Sequence, residues 1–300
     1  MSKPRVAILG LGIMGSGMAQ RLLAGDFPVL VYNRNPEKAK LFAGRGAFVA
    51  ATPREAAERS EIIISMLADD NASRNVWLGT SGAMSAASAG SVLIESSTVG
   101  VAWVKELASA AATRGCELLD APVTGSKPQA ASGDLLFLVG GPESALTRAR
   151  PVLSALGRDI VHFGPNGSGA MMKLVNNFMS GVQAASLAEA MSMINASGLD
   201  RAKAISVLTN GAPGSPLVKL LSSRATAGDF DPNFLLRLMA KDLEYALRES
   251  ARYGINLVTP AAALAVFQKA IAEGYGENDF SAVIESSVRR AGGGLNHERN

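Results

Sequence analysis

Arg5-Val6-Ala7-Ile8-Leu9-Gly10-Leu11-Gly12-Ile13-Met14-Gly15 is the stretch that decides the fold. A short apolar strand runs into Gly10, and a helical segment rich in Ala, Leu and Met, Met14–Ala24, leaves it. In this G-x-G-x-x-G spacing the first glycine permits a tight turn and the second lets backbone N–H groups approach a pyrophosphate. The third lets the helix pack against the strand, while the helix N-terminus supplies partial positive charge. Glycine-rich turns are common; the strand before and the helix after give this one its meaning. Gly10, Leu11, Gly12, Ile13, Met14 and Gly15 are expected to bind a dinucleotide.

Outward from this turn, short β-branched runs alternate with helical segments. The runs are Arg5–Leu9, Val29–Tyr32, Ala47–Val49, Ile62–Met66, Val92–Glu95 and Glu117–Asp120, with helices over Glu37–Ala43 and Val101–Thr113. Such alternation predicts a parallel sheet with crossover helices. Leu135–Val139 and Ile160–Phe163 bracket a further helix beginning near Pro142. After the turn Gly164-Pro165-Asn166-Gly167 the pattern is helical throughout, led by a long helix over about residues 168–197. Asp200 can cap a helix that stops at Gly211, and Thr259 before Pro260 marks another start. A third helix stops near Gly274, and Asp279 can cap the last. The expected fold class is α/β: a Rossmann-type doubly wound sheet domain over residues 1–163, then an all-α domain over 164–300, joined by the long interdomain helix. Residues 292–300 read as a loose tail.

Three hundred residues suffice for a sizeable core, and 48% apolar with 18% charged residues reads as globular. A formal charge of +3 without a basic cluster points away from nucleic acid. The start of the chain has no apolar export region and no span reaches membrane length, so a cytoplasmic protein is expected. The single cysteine, Cys116, agrees with a reducing compartment and reads as a small core residue.

The choice of dinucleotide turns on the end of the second strand. An acidic residue there would hold the ribose hydroxyls of NAD. This chain has Asn33-Arg34 instead; Asn33 does not repel a 2′-phosphate and Arg34 can pair with it, so NADP(H) is favoured. Other strand ends, Met66-Leu67, Ser96-Ser97-Thr98 and Ala121 to Ser126, should open on the same crevice.

Lys173 and Asn177 fall one helical turn apart in Gly169-Ala170-Met171-Met172-Lys173-Leu174-Val175-Asn176-Asn177, so they share a face. Apolar neighbours suggest that this segment is largely buried. Together with Gly10–Gly15, Asp120-Ala121-Pro122-Val123, Gly125 and Lys241-Asp242, the segment resembles the β-hydroxyacid dehydrogenase (3-hydroxyisobutyrate dehydrogenase) family, in family order over nearly the whole chain. Asn33-Arg34, Gly125-Ser126-Lys127-Pro128 and Asp279–Glu285 resemble its glyoxylate/succinic semialdehyde reductase subgroup. The resemblance implies Lys173 as catalytic acid/base and Asn177 as orienting the substrate. It places Thr98 beside the nicotinamide and Lys241 reaching across to close on the cofactor, which Met66 and Leu67, at their strand end on the crevice, are also expected to bind. Thr124 and Gly125 would hold the substrate carboxylate with backbone N–H groups, with Phe234 and Asp242 completing the wall; Ser126 is also expected to bind substrate. Thr124 stands where the family usually has Ser, and Ser126 and Gln129 where many members have Gly, which alters the shape of the pocket.

The chemistry also follows from the residues: an ammonium beside a carbonyl that receives a hydride can stabilise the developing oxyanion and protonate it. The expected reaction is NADPH-dependent reduction of glyoxylate or succinic semialdehyde to the hydroxy acid. The alternatives are 3-hydroxyisobutyrate oxidation, tartronate semialdehyde reduction, or a non-catalytic NADP-binding sensor module. Imine reductases on this fold usually lack the lysine. Expected partners are a small carboxylate-bearing substrate and further copies of the chain, as a homodimer or homotetramer through the helical domain. No metal is expected, because His162 and His297 have no ligand-spaced partner. Asp69-Asp70 and Asp229/Asp231 read as loop and cap residues. Trp77, Trp103 and the group Met171, Met172, Met179, Met191 and Met193 read as packing residues.

Overall fold

The computed structural model describes residues 3–293; His297 and the tail beyond Gly293 lie outside the described residues. The chain forms two compact units, Met1–Lys173 and Leu174–Asn300. In chain order the first holds β1 (Val6–Leu9), α1 (Ile13–Ala24), β2 (Val29–Tyr32), α2 (Pro36–Ala43), β3 (Phe48–Val49), α3 (Pro53–Glu58), β4 (Ile62–Ser65) and α4 (Asp70–Leu78). There follow β5 (Val92–Glu95), α5 (Val101–Thr113), β6 (Glu117–Asp120), β7 (Val123–Thr124), α6 (Lys127–Ser132), β8 (Leu135–Gly140), α7 (Glu143–Leu156) and β9 (Gly157–Gly164).

These strands make one sheet in the order β3-β2-β1-β4-β5-β6-β8-β7, with β9 on β8. From β3 to β6 every pairing is parallel, and β6 meets β8 antiparallel at Asp120 and Gly140. Every residue of β1, β4 and β5 is buried, which is why these strands read as unbroken apolar runs. Their order reverses between β1 and β4, and a crevice opens at the carboxyl ends of strands at such a point. Helix starts are set by side chains: Asn35 accepts from the Glu37 N–H, Thr52 from Glu55 and Asp69 from Ala72. The apolar side chains of Val6, Ile8, Met18, Ile64, Ile94 and Phe137 belong to one core.

The unit division falls inside α8 (Ser168–Ser197). Gly169 explains why the first turns of α8 count with the sheet: a Cβ there would lie 2.3 Å from the Leu138 carbonyl oxygen and 2.6 Å from that of Asp120.

The second unit continues with α9 (Arg201–Asn210), α10 (Pro216–Ala227), α11 (Leu236–Ala251), α12 (Val258–Ala272) and α13 (Ala282–Gly293). Leu221, Leu236, Leu243, Phe267 and Ile284 centre its core. Asp200 caps α9 at the Lys203 N–H, and that helix ends before Gly211. Three details differ from expectation. Helix α12 starts two residues earlier, with Leu257 as its cap, so Thr259 lies within the first turn, where Pro260 lacks only an N–H with no helical partner anyway. Helix α13 extends through Gly293, so Gly292 and Gly293 belong to a helix rather than to the tail. Finally, Met191 is fully buried but Met179 and Met193 are exposed. At about 100° per residue, positions two apart face opposite ways, so one helix cannot turn both Met191 and Met193 inward. Among the described residues no helix is long and apolar enough to cross a membrane.

Candidate dinucleotide and catalytic site

The glycine turn is built by close approach. A Cβ on Gly15 would lie 1.9 Å from the Gly10 carbonyl oxygen, and one on Gly10, at φ +104°, would lie 2.4 Å from that of Met66. Both glycines are therefore required by the meeting of β1, α1 and the turn after β4. Gly12 is different: a Cβ there would meet nothing within 4 Å. It caps α1 with no side-chain hydrogen bond, and the first turn of α1 carries no acidic residue. Unsatisfied N–H groups above open space are what a pyrophosphate requires, so the residues present fit a dinucleotide.

Asn33 does more than leave out a carboxylate. Its Oδ1 accepts from the Leu11 N–H at 2.9 Å and its Nδ2 donates to the Asn35 carbonyl at 2.9 Å, tying the end of β2 to the glycine turn. Arg34 is exposed and lines a cavity of about 330 Å³ with Tyr32, Asn33, Pro36, Lys40 and Ala50. Lys40 in that cavity already pairs with Glu37 at 2.7 Å. A larger, shallow cavity by Arg5, Phe48 and Arg59 lies at the strand starts, away from the crevice, and both of its guanidinium groups face Glu61 or Glu55.

Met66 and Leu67 follow β4 directly, on the strand beside β1, and Thr98 comes three residues after β5, one strand further along the sheet. Thr124 ends β7, and Gly125 follows at φ +104°. A Cβ at Gly125 would lie 3.0 Å from the Gln129 Cβ and 3.1 Å from Leu135 Cδ2. Ser126 and Gln129, the departures from the family pattern, make the start of α6, since the Gln129 Oε1 accepts from the Ser126 N–H at 2.9 Å. Helix α6 packs on α1, where a Cβ on Gly17 would lie 3.0 Å from the Ala130 Cβ.

Asp120 was legible only as part of a motif, yet it organises the segment leading to Lys173. Fully buried, it accepts from the Gly167 N–H at 2.9 Å and the Ala170 N–H at 2.8 Å, with the Asn166 amide at 3.4 Å. Burial pushes its carboxyl above the usual aspartate range, and these donors oppose the shift. Its partners lie about fifty residues on, beyond any local pattern. Lys173 follows on the same helix, half-buried, with Leu174 buried, Met171 and Met172 half-buried, and Val175 exposed.

In the second unit Asn177, Asp242 and Lys241 come together. The Asn177 Nδ2 donates to the Asp242 Oδ2 at 2.6 Å, and the Lys241 Nζ lies 3.1 Å from the Asp242 Oδ1. Asp242 is fully buried, and the Lys241 ammonium also lies 4.9 Å from the centre of the Tyr245 ring. Phe234 stacks edge-on against Phe280, 5.7 Å between centroids. Asp279, expected to cap α13, does more: its Oδ2 accepts from the N–H groups of Asn233 and Phe234 and its Oδ1 from Ser281. It therefore fixes the loop that carries Phe234.

Other candidates take structural places. The Nε2 of His162 lies 2.8 Å from the Gly141 carbonyl oxygen. Cys116 is buried, and burial pushes its thiol up, which makes it a poor nucleophile. Asp69 caps α4, and Asp70 accepts from the Gly100 N–H at 2.8 Å.

Residues 5–164 match the profile described as the NAD binding domain of 6-phosphogluconate dehydrogenase. Residues 167–287 match that described as NAD-binding of NADP-dependent 3-hydroxyisobutyrate dehydrogenase. The chain is 33% identical to 3-sulfolactaldehyde reductase of Escherichia coli, covering 96% of this chain and 97% of that one. It is 31% identical to NAD-dependent L-serine dehydrogenase of Pseudomonas aeruginosa, covering 93% and 96%. A solved structure of Mycobacterium tuberculosis 3-hydroxyisobutyrate dehydrogenase with L-serine superposes with a TM-score of 0.85 at 32% identity, covering 95% of this chain and 99% of that one.

Proposed function

The chain belongs to the β-hydroxyacid (3-hydroxyisobutyrate) dehydrogenase family, and on that premise we propose that it reduces glyoxylate or succinic semialdehyde to the hydroxy acid with NADPH. At the coarser level it is an NAD(P)-dependent dehydrogenase acting on a hydroxyl-bearing carbon. The observation that carries the catalytic reading is Lys173: it follows the segment clamped by Asp120 and stands one turn before Asn177, whose amide Asp242 holds.

When bound, the reduced nicotinamide supplies the hydride. The Lys173 ammonium stabilises negative charge on the substrate oxygen and donates the proton that completes the alcohol. Asn177 orients that substrate, and the N–H groups of Thr124 and Gly125, with Ser126, hold its carboxylate. Phe234 and Asp242 are the helical unit's further candidates for the substrate, and Lys241 its candidate for the cofactor. Arg34, exposed at the end of β2, pairs with the 2′-phosphate, and its neighbours Asn33 and Asn35 carry no charge to repel it. Glyoxylate and succinic semialdehyde are small and anionic, which suits a backbone donor at Gly125, where the chain turns after β7. The partners are such carboxylates, not nucleic acid or membrane, in a cytoplasmic protein. Exposed Met193, Leu199, Val207 and Val258 on the helical unit support a homodimer or homotetramer, which light scattering would register.

A second reading, oxidation of a 3-hydroxy acid such as 3-hydroxyisobutyrate or L-serine, is favoured by what the relatives are named for. Steady-state assays with aldehyde acids and hydroxy acids, each with NADPH or NADP⁺ and with NADH or NAD⁺, separate the two. Highest kcat/KM for glyoxylate or succinic semialdehyde with NADPH is the expected result. Higher kcat/KM for a 3-hydroxy acid moves the assignment to the second reading. No turnover with any member leaves a binding module without catalysis.

A further inference from the structure

Glu95 ends β5 at the centre of the sheet and is fully buried, a costly place for a carboxylate. Both its oxygens are in use. Oε1 accepts from the Ser97 N–H at 2.9 Å, while Oε2 accepts from the Trp77 Nε1 at 3.0 Å and the Ser73 Oγ at 2.5 Å. The Ser73 Oγ in turn accepts from the Trp103 Nε1 at 2.7 Å. One side chain thus ties the turn after β5 to α4 directly and to α5 through Ser73, and both tryptophans of the chain give their N–H groups to the network.

The turn held in this way is tied to its neighbour. The Ser97 Oγ accepts from the Leu67 N–H at 2.7 Å, and the Asp70 Oδ1 accepts from the Gly100 N–H at 2.8 Å. Leu67 follows Met66, whose carbonyl presses against Gly10. With the adenosine half at the end of β2, the strand order carries the nicotinamide half across the glycine turn toward β4 and β5. The two turns joined through Ser97 are the ones it meets. An apolar side chain at 95 would fill the core without this cost; a carboxylate there sets where Ser97 and Thr98 sit.

We infer that Glu95 is a positioning residue for the nicotinamide half of the cofactor, acting through the Ser97–Thr98 and Met66–Leu67 turns. This rests on the family reading for the cofactor and on nothing about the substrate. Glu95→Gln keeps the shape but turns an NH₂ toward a donor, so at least one bond of the network is lost.

The test compares native protein with Glu95→Gln by calorimetry. The ligands are whichever of NADPH and NADH the native chain binds more tightly, and the matching adenosine half, 2′,5′-ADP or ADP. Thermal unfolding is followed in parallel. The expected result is cofactor binding weakened about fivefold or more, adenosine-half binding unchanged, and tryptophan emission shifted. A generally loosened domain would weaken both ligands alike; that result, or no change in either, overturns the proposal. Should Glu95→Gln not fold, Trp77→Phe removes one donor from Oε2 and is read by the same split, with a smaller loss expected. A native chain that binds neither dinucleotide overturns this inference and the family reading together. A native chain that binds, with no split in the variants, overturns this inference alone.

Discussion

Two aspartates, Asp120 in the sheet unit and Asp242 in the helical unit, are equally buried and satisfied in opposite ways. Asp120 receives backbone N–H groups from the start of α8, so it joins one piece of chain to another. Asp242 receives side chains, the Asn177 amide and the Lys241 ammonium, so it joins functional groups to each other. A buried carboxylate is expensive in either place. Backbone donors turn that expense into architecture, and side-chain donors turn it into a site.

The same substitution at both positions tests the contrast. Asp242→Ala takes the acceptor from the Asn177 amide and breaks the ion pair with Lys241; it is expected to cost about 3–5 kcal/mol of stability, with kcat/KM falling further than that of Asp120→Ala. Denaturant unfolding and steady-state kinetics on the two variants check this, and equal kinetic losses would erase the distinction. Asp120→Ala orphans two backbone N–H groups and is expected to cost about 2–3 kcal/mol.

Its cost should also depend on pH. Burial raises the Asp120 carboxyl, so between the unfolded and folded pKa values the folded protein binds more protons. The contribution of Asp120 is therefore complete below the ordinary aspartate range and is lost as pH rises through the raised value. The stability difference between native protein and Asp120→Ala should shrink as pH rises from about 4; a difference that grows would reverse the assignment.

Arg34 supplies the control, a charge that holds no part of the fold. Arg34→Asp is expected to weaken NADPH binding about tenfold or more and NADH binding far less, with unfolding unchanged; equal losses for both would remove the case for NADP(H). Smallest is Asn33→Ala, which frees the half-buried Leu11 N–H and is expected to cost about 1 kcal/mol in thermal unfolding.

These residues also mark what could be read from the chain. Strands β2, β5 and β6 coincide with the runs read from the sequence, because buried parallel strands leave a local apolar signature. The glycine turn was legible because its spacing, Gly10 to Gly15, falls within six residues, whereas the Met66 carbonyl that also crowds Gly10 left no local sign. Helix α3 could have been found from Thr52-Pro53 and Glu55, a local start signal. Strand β7 could not, since two residues carry no period. Asp120 and Glu95 looked like polar ends of apolar strands, because what defines them stands elsewhere: at 167 and 170 for one, at 73, 77 and 97 for the other. Helical spacing put Asn177 on the face of Lys173, but its role and the place of Asp242 came through family resemblance, and the distance between the two in sequence hid the hydrogen bond that joins them.

The most direct test of the account is kcat for Lys173→Ala beside its cofactor dissociation constant, with the substrate the native chain turns over best. Loss of about 10²–10⁴ in kcat, with cofactor binding unchanged, is the predicted result. Turnover close to native would contradict it, since the proton would then come from another group.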